Sequence, residues 1–469
     1  MGSVNLVVFD RSGDLLEYIF TKRLDNVIVY IYEKNQKTIN LIEQYKKNIF
    51  YSIDYNLLLE IQNVQYIQYD LIEKMRFSQI DIETMLHRIM LNNPLAKDIY
   101  HQHLSFFADI FRTHKIDLMI STETDLTSPN HHIPFSLCNL LGIPCYALNW
   151  YHYTAAALAN YNNLKAQRHI PFTQTTLNAD AQKIAYYKYE TKKKKKKNTK
   201  KLRYLLKSLV MKIGGEMLSQ FLVCCLKFNF QQNRLGIPYS YWTKLYYFLK
   251  YKQLQRFYKK ISTIPNLQEK YIYYSIHFEP EAAIIGKTLL ESQITIIKML
   301  SKSLPKGWKL YVKEHPHQFM LNNEVSHYFI NNLDFFKNIS FYKEIQKLPN
   351  VIIVSLNISS KDLMLNSRAV ATLGGTITLE SALHKIPAIL FNPYETVYGV
   401  LENTLHVRSY IDLLEAIEKL QNGFAQSIKP DLEKFNSYLA DPRDPKFYDN
   451  LFITIEEHAK TIHPTGETL

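Results

Sequence analysis

Cysteine is scarce in this chain, and the four present, Cys138, Cys145, Cys224 and Cys225, form neither a CxxC pair nor the spacing of a disulfide framework. Thiols placed this way point to a reducing compartment. A membrane-spanning run is missing as well: the nearest candidate, residues 204–226, is broken by Lys207, Lys212 and Glu216. Residues 4–9 are a short apolar run ended by Asp10, with no basic stretch before it and no cleavage site after it, which is not the layout of a signal peptide. These absences predict a cytoplasmic protein. There is no internal repeat, no GxGxxG fingerprint and no P-loop, which weakens dehydrogenase and kinase readings. The paired histidines at 101/103, 131/132 and 315/317 lack convergent partners at zinc spacing, so no metal is expected.

What is present is the composition of a globular enzyme, 46% hydrophobic and 21% charged over 469 residues, a length that predicts two domains. The 34 Tyr and 25 Phe accompany abundant Ile, Lys and Asn, a bias that carries no functional weight in aggregate. A net charge of +13 favours an anionic partner, whether phospholipid headgroups, acidic sugars or nucleic acid. Much of it sits in one run, Lys192 to Lys197 with Lys200 and Lys201, so a uniform nucleic-acid-binding face is not implied and none is expected.

Along the chain, residues 1–165 alternate strand and helix signals: strands at 4–9, 27–32, 117–121 and 144–149, helices at 14–22, 100–113 and 132–141. Residues 166–268 lack strand signals, carry the basic loop 191–201 and then show apolar residues at helical spacing over 202–221. Over 269–425 the α/β pattern returns, with strands at 271–276, 309–313, 351–354, 369–372 and 387–391. A helical tail over 426–469 is expected to pack back on the first domain. Strand, helix, strand at this spacing predicts two Rossmann-like sheets of parallel strands joined by a helical connection.

Three strand ends in the second half carry chemistry. After 369–372 comes Leu373-Gly374-Gly375-Thr376, then a helix containing Glu380. A glycine pair at a strand-to-helix turn admits a ligand close to the backbone, and the helix start offers N–H groups to a phosphate. Thr376 can cap that helix or donate to the phosphate, and Glu380 can reach ribose hydroxyls. A tight turn with no ligand is the other reading of the same glycines. The strand 309–313 ends in Lys313-Glu314-His315-Pro316, where an imidazole can hydrogen-bond a phosphate and the proline stiffens the loop; a surface turn is the alternative. The strand 271–276 runs into His277-Phe278-Glu279-Pro280-Glu281, an imidazole and two carboxylates that a structural turn would also accommodate.

Taken together, Ser-Ile-His-Phe-Glu-Pro-Glu after one strand, His-Pro after the next, and Gly-Gly-Thr-x-x-x-Glu-x-Ala later resemble the capsular-polysaccharide biosynthesis family. That family includes bacterial transferases of 3-deoxy-manno-octulosonic acid (Kdo) and related nonulosonic acids. The resemblance covers about residues 270–395, extends to 1–150 only in layout, and departs at Glu279. It implies a GT-B fold, two Rossmann-like domains facing a central cleft. It also implies a metal-independent transfer from a CMP-activated acidic sugar held by His277, Glu281, Lys313, His315, Pro316, Gly374, Gly375, Thr376 and Glu380.

A catalytic carboxylate is then expected from the first half, where Glu123 and Asp125 follow the strand 117–121. His131 and His132 nearby, with Arg11 and Ser12 after the first strand, are acceptor candidates; the same acids read equally well as caps of the helix that follows. The expected partners are a nucleotide-sugar donor, a glycan or lipid-linked glycan acceptor and a peripheral contact of the basic loop with an anionic membrane surface, the alternative being a solvated loop. Another donor, a UDP-sugar or CDP-glycerol, is the nearest rival reading. A non-enzymatic nucleic-acid-binding or scaffold protein is a more distant one.

Overall fold

The computed structural model describes residues 4–23, 25–58, 61, 68–88, 93–124, 128–151, 155–162, 168–173, 241–279, 284–286, 288, 290–319, 335–427 and 432–461. They divide into two compact units, one built from the described residues up to 173 and from 436 onward, the other from 241–435. Each holds one sheet, and the expected class, α/β with two Rossmann-like sheets of mainly parallel strands, is the one observed.

In the first unit β1 (Asn5–Asp10), β2 (Asn26–Tyr32), β3 (Ile49–Asp54), β4 (Leu118–Ser121) and β5 (Cys145–Tyr151) run parallel. The antiparallel β6 (Ala155–Asn160) and β7 (His169–Ile170) extend the sheet to the order β3-β2-β1-β4-β5-β6-β7. β1 and β4 sit centrally, which is why they read as unbroken apolar runs rather than alternating ones. The chain leaves β1 through Gly13, whose φ of +83° suits glycine, and begins the helix Asp14–Tyr18. That helix loosens into a π turn at Ile19–Arg23, so the helix expected over 14–22 is not uniform. The helix Phe447–Ala459 places Phe447, Leu451 and Phe452 in one core with Leu6, Val8 and Leu158.

The second sheet is wholly parallel: β8 (Tyr271–Ser275), β9 (Lys309–Lys313), β10 (Val351–Val354), β11 (Ala369–Thr372), β12 (Ala388–Leu390) and β13 (Thr404–His406), ordered β10-β9-β8-β11-β12-β13. In chain order this is 3-2-1-4-5-6, the dinucleotide-fold winding. Its tyrosines are core residues: Tyr271 and Tyr311 stack at 4.1 Å, and their hydroxyls donate to the carbonyls of Leu363 and Asn266, each at 2.7 Å.

The segment expected to lack strands contains β7 at its start, a pairing set by β6 rather than by local sequence, and the 21-residue helix Tyr241–Ile261 near its end. The lysine run 191–201 and the stretch 202–221 lie outside the described residues. Cys138 and Cys145 are buried free thiols. Among the described residues no helix is long and apolar enough to cross a membrane, and no cluster of three His, Cys, Asp or Glu could hold a metal ion.

Candidate functional site

In a sheet wound 3-2-1-4-5-6, the loops leaving strands 1 and 4 diverge and open a crevice at their carboxyl ends. In the second unit these strands are the hydrogen-bonded neighbours β8 and β11, so His277 and the Gly374-Gly375 turn meet there. The Nε2 atom of His277 lies 3.0 Å from Thr372 Oγ1. The Gly375 N–H donates to that same hydroxyl at 3.2 Å, and the Gly374 N–H points at His277 Nε2 from 3.4 Å. Which partner donates between Nε2 and the Thr372 hydroxyl is set by the ring tautomer. Gly375 sits in close quarters: a Cβ there would lie 3.0 Å from Thr372 Oγ1 and 3.5 Å from His277 Nε2, so a side chain would press on the hydroxyl.

His277 is held from behind through its backbone. Its N–H donates to Gln293 Oε1 at 2.7 Å, and its carbonyl accepts from Gln293 Nε2 at 3.0 Å and from Lys337 Nζ at 2.9 Å. The neighbouring loop is clamped in the same manner, Gln318 exchanging two 3.2 Å hydrogen bonds with the backbone of Glu279. The Glu279 carboxylate accepts from Gln293, consistent with a structural role for the residue that departs from the family wording.

At the end of β9 the chain turns inward before turning out. Glu314 is buried, and its carboxylate accepts from Lys337 Nζ at 3.2 Å, from the Tyr342 hydroxyl at 2.6 Å and from the His315 N–H at 2.8 Å. Burial pushes its carboxyl above the usual range, while the Lys337 charge and the Tyr342 hydrogen bond pull it back. His315 is half-buried with its ring 6.1 Å from that of Phe278, and Pro316 is exposed at the start of a 3-10 turn over Pro316–Phe319. Lys313 is buried, its ammonium donating to Ser360 Oγ at 2.9 Å. Thr376 places no hydrogen bond on the first turn of the helix Ile377–Leu383, so of its two expected roles capping is not seen. Glu380 is half-buried in that turn, near enough to Tyr398 to help raise its hydroxyl pKa, behind the larger effect of burial. Glu281 and Asp125 lie outside the described residues.

The first unit has its own switch point, between β1 and β4. Asp10 is buried there and accepts from the Ser12 N–H, the Ser12 hydroxyl and the Leu16 N–H, between 3.0 and 3.1 Å. Arg11 reaches across the crevice, pairing with Glu33 at 2.7 Å and Glu123 at 2.8 Å, with its guanidinium 5.5 Å from the centre of the Tyr55 ring. Ser121 Oγ donates to the carbonyl of Glu123 at 2.6 Å and lies 3.0 Å from His131 Nε2. His131 stacks on Phe9 at 3.9 Å and is fully buried; His132 is buried on the other side of its helix, near Ser78 and Ser136. Both rings are buried, so the acceptor candidates with readily accessible atoms are Arg11 and the exposed Ser12.

Glu33, Gln293, Gln318 and Lys337 were not singled out from sequence. Each is a polar residue outside any motif, and only the fold brings it to the strand ends. Glu314 was legible as part of the Lys-Glu-His-Pro string, but not its inward direction.

No protein-family model matches the sequence. No curated protein matches it either. Among solved structures the chain is similar to KpsC, a beta-Kdo 2,7 transferase from Thermosulfurimonas dismutans, at 9% identity over 82% of this chain and 84% of that one, TM-score 0.29. It is similar to a UDP-GlcNAc 2-epimerase from Neisseria meningitidis bound to UDP-GlcNAc, at 10% identity over 97% and 100% of the two chains, TM-score 0.25. The calicheamicin glycosyltransferase CalG4 matches at 11% identity over 98% of each chain, TM-score 0.22. A likeness this slight assigns no chemistry; the sheet order and the strand-end residues stand by themselves.

Proposed function

We propose that the chain is a GT-B glycosyltransferase whose nucleotide-sugar donor lies over the carboxyl ends of β8, β9 and β11, with the phosphate against His277 and the Gly374-Gly375 turn. The observation that carries this reading is the convergence of an imidazole nitrogen, a hydroxyl and two glycine N–H groups within 3.4 Å contacts at the switch point of a 3-2-1-4-5-6 sheet. The long Gly374 contact is the one an arriving phosphate oxygen replaces most easily.

The strand-end string from His277 to Glu281, with His315-Pro316 and Glu380, favours a CMP-activated acidic sugar of the Kdo or nonulosonic type. In the reaction the bond between the anomeric carbon and the phosphate oxygen breaks, CMP leaves with the bonding electron pair on that oxygen, and the acceptor hydroxyl oxygen forms the new bond to the anomeric carbon. Its proton goes to a carboxylate, for which we assign Glu123, with Arg11 and Ser12 toward the acceptor, a cell-surface or lipid-linked glycan at an anionic membrane face. CMP is a stable leaving group, and donors fixed in the protein supply the charge stabilisation without a metal.

Thermal-shift titration with CMP, CDP and UDP tests the donor. Stabilisation by CMP is expected; stabilisation by UDP alone moves the reading to a UDP-sugar transferase, and by CDP alone to a CDP-glycerol polymerase. Glu123→Gln is expected to remove turnover at unchanged nucleotide affinity, and retained turnover excludes it as the base.

A further inference from the structure

Lys337 is fully buried, and its ammonium contacts the ends of two different strands at once. It donates to the carbonyl of His277, which follows β8, at 2.9 Å, and to the carboxylate of Glu314, which follows β9, at 3.2 Å. Glu314 passes the constraint on in two directions. One oxygen accepts from the His315 N–H, and the other from Tyr342. The Glu314 N–H in turn donates to the Tyr258 hydroxyl at 3.1 Å, and that hydroxyl donates to the carbonyl of Val354, the last residue of β10. Three adjacent strand ends are therefore joined below the crevice by one buried cation, one buried anion and two buried tyrosines.

Such a pair is a poor device for stability, because an apolar pair of similar volume avoids the desolvation cost. What it supplies is direction: an ammonium has three donors, and two are spent here on the segments that carry His277 and His315. From these contacts we infer that Lys337 is a positioning residue for the nucleotide site, fixing His277 through its carbonyl and His315 through Glu314. The assignment rests on reading these strand ends as a donor site. Its chemistry does not touch the substrate; it sets where two rings stand, and small displacements of such groups are expensive in binding and rate.

The test separates positioning from bulk stability with two variants and two readouts. Lys337→Met leaves the Glu314 carboxyl buried without its cation, and both thermal stability and CMP affinity are expected to fall. In the double variant Lys337→Met/Glu314→Gln no unpaired charge remains, so stability is expected to recover. CMP affinity by titration calorimetry should still be about tenfold weaker, because the His277 backbone keeps its Gln293 contacts but has lost the one from Lys337. Amide hydrogen exchange of residues 276–279 and 314–318 should be faster in the double variant than in wild type, with no nucleotide present. Recovery of CMP affinity together with stability, or exchange in those loops unchanged from wild type, overturns the positioning role. If wild type binds none of CMP, CDP and UDP, the donor reading fails instead, and the exchange measurement still decides whether Lys337 holds the loops.

Discussion

The two sheets share a winding and differ in what fills their switch points. Between β1 and β4 the strand ends carry ion pairs: Arg11 bridges Glu33 and Glu123, all three partly exposed, and Asp10 is consumed by backbone and serine donors. Between β8 and β11 the charges are withdrawn below the loops, in the buried Lys337–Glu314 pair, and the crevice is left to an imidazole, a threonine and two glycines. The first arrangement presents charged side chains for proton transfer or contact with an incoming group. The second presents hydrogen-bonding groups close to the backbone, suited to a phosphate. One sheet architecture thus supports two kinds of site, and the difference lies in residues at strand ends.

That contrast can be broken most forcefully at its buried pair. Lys337→Met should cost about 3–5 kcal/mol of stability in the second unit, because it leaves a carboxylate buried without its cation. Arg11→Ala, at a pair with 40% and 22% side-chain exposure, should cost below about 1 kcal/mol. Denaturant unfolding of the two variants compares them directly, and equal costs would erase the distinction.

The first unit hides a titratable group of the opposite kind. His103 is buried with its Nδ1 2.7 Å from the carbonyl of Ile99, and burial pushes its imidazole down to about 4. Between that value and the ordinary one the unfolded chain binds the proton and the folded chain does not, so stability falls as pH drops through this window. The loss should approach about 3 kcal/mol near pH 4, and His103→Gln should flatten it. Urea midpoints between pH 7 and 4 measure the slope, and an unchanged slope in the variant assigns the acid sensitivity elsewhere.

A smaller effect distinguishes the two loop glycines. Gly13 lies at φ +83° and a Cβ there would approach Leu41 to 2.9 Å, so Gly13→Ala should lose about 1–2 kcal/mol of stability. Gly375→Val crowds Thr372 and His277 instead, and should weaken CMP binding by about 1–3 kcal/mol while the fold persists. Calorimetric titration and thermal unfolding of both variants read the two effects separately.

How much was visible in the sequence follows from where the determining information lies. β9, β10 and β11 were legible to the residue, because the strands of a parallel sheet covered on both faces are short apolar runs bounded by turn or charged residues. β6 was not: Ala155–Asn160 has no β-branched residue, and its strand conformation comes from pairing with β5. β13 has three residues and no pattern to detect. In the site, His277, His315 and the glycine pair could be named because they stand directly after strands. Lys337 and Gln293 could not, since they act through the backbone of residues 60 and 16 positions away. Side-chain direction was also illegible: His131 follows the same strand as Glu123, yet it turns into the core against Phe9.

The central claim is that a nucleotide phosphate occupies the switch point of the second sheet. Titration calorimetry of CMP into wild type and His277→Ala, side by side at one pH and salt, tests it most directly. The account predicts saturable binding to wild type and an affinity about tenfold or more lower in the variant, with thermal unfolding of the two proteins alike. Equal CMP affinity in both proteins would contradict it.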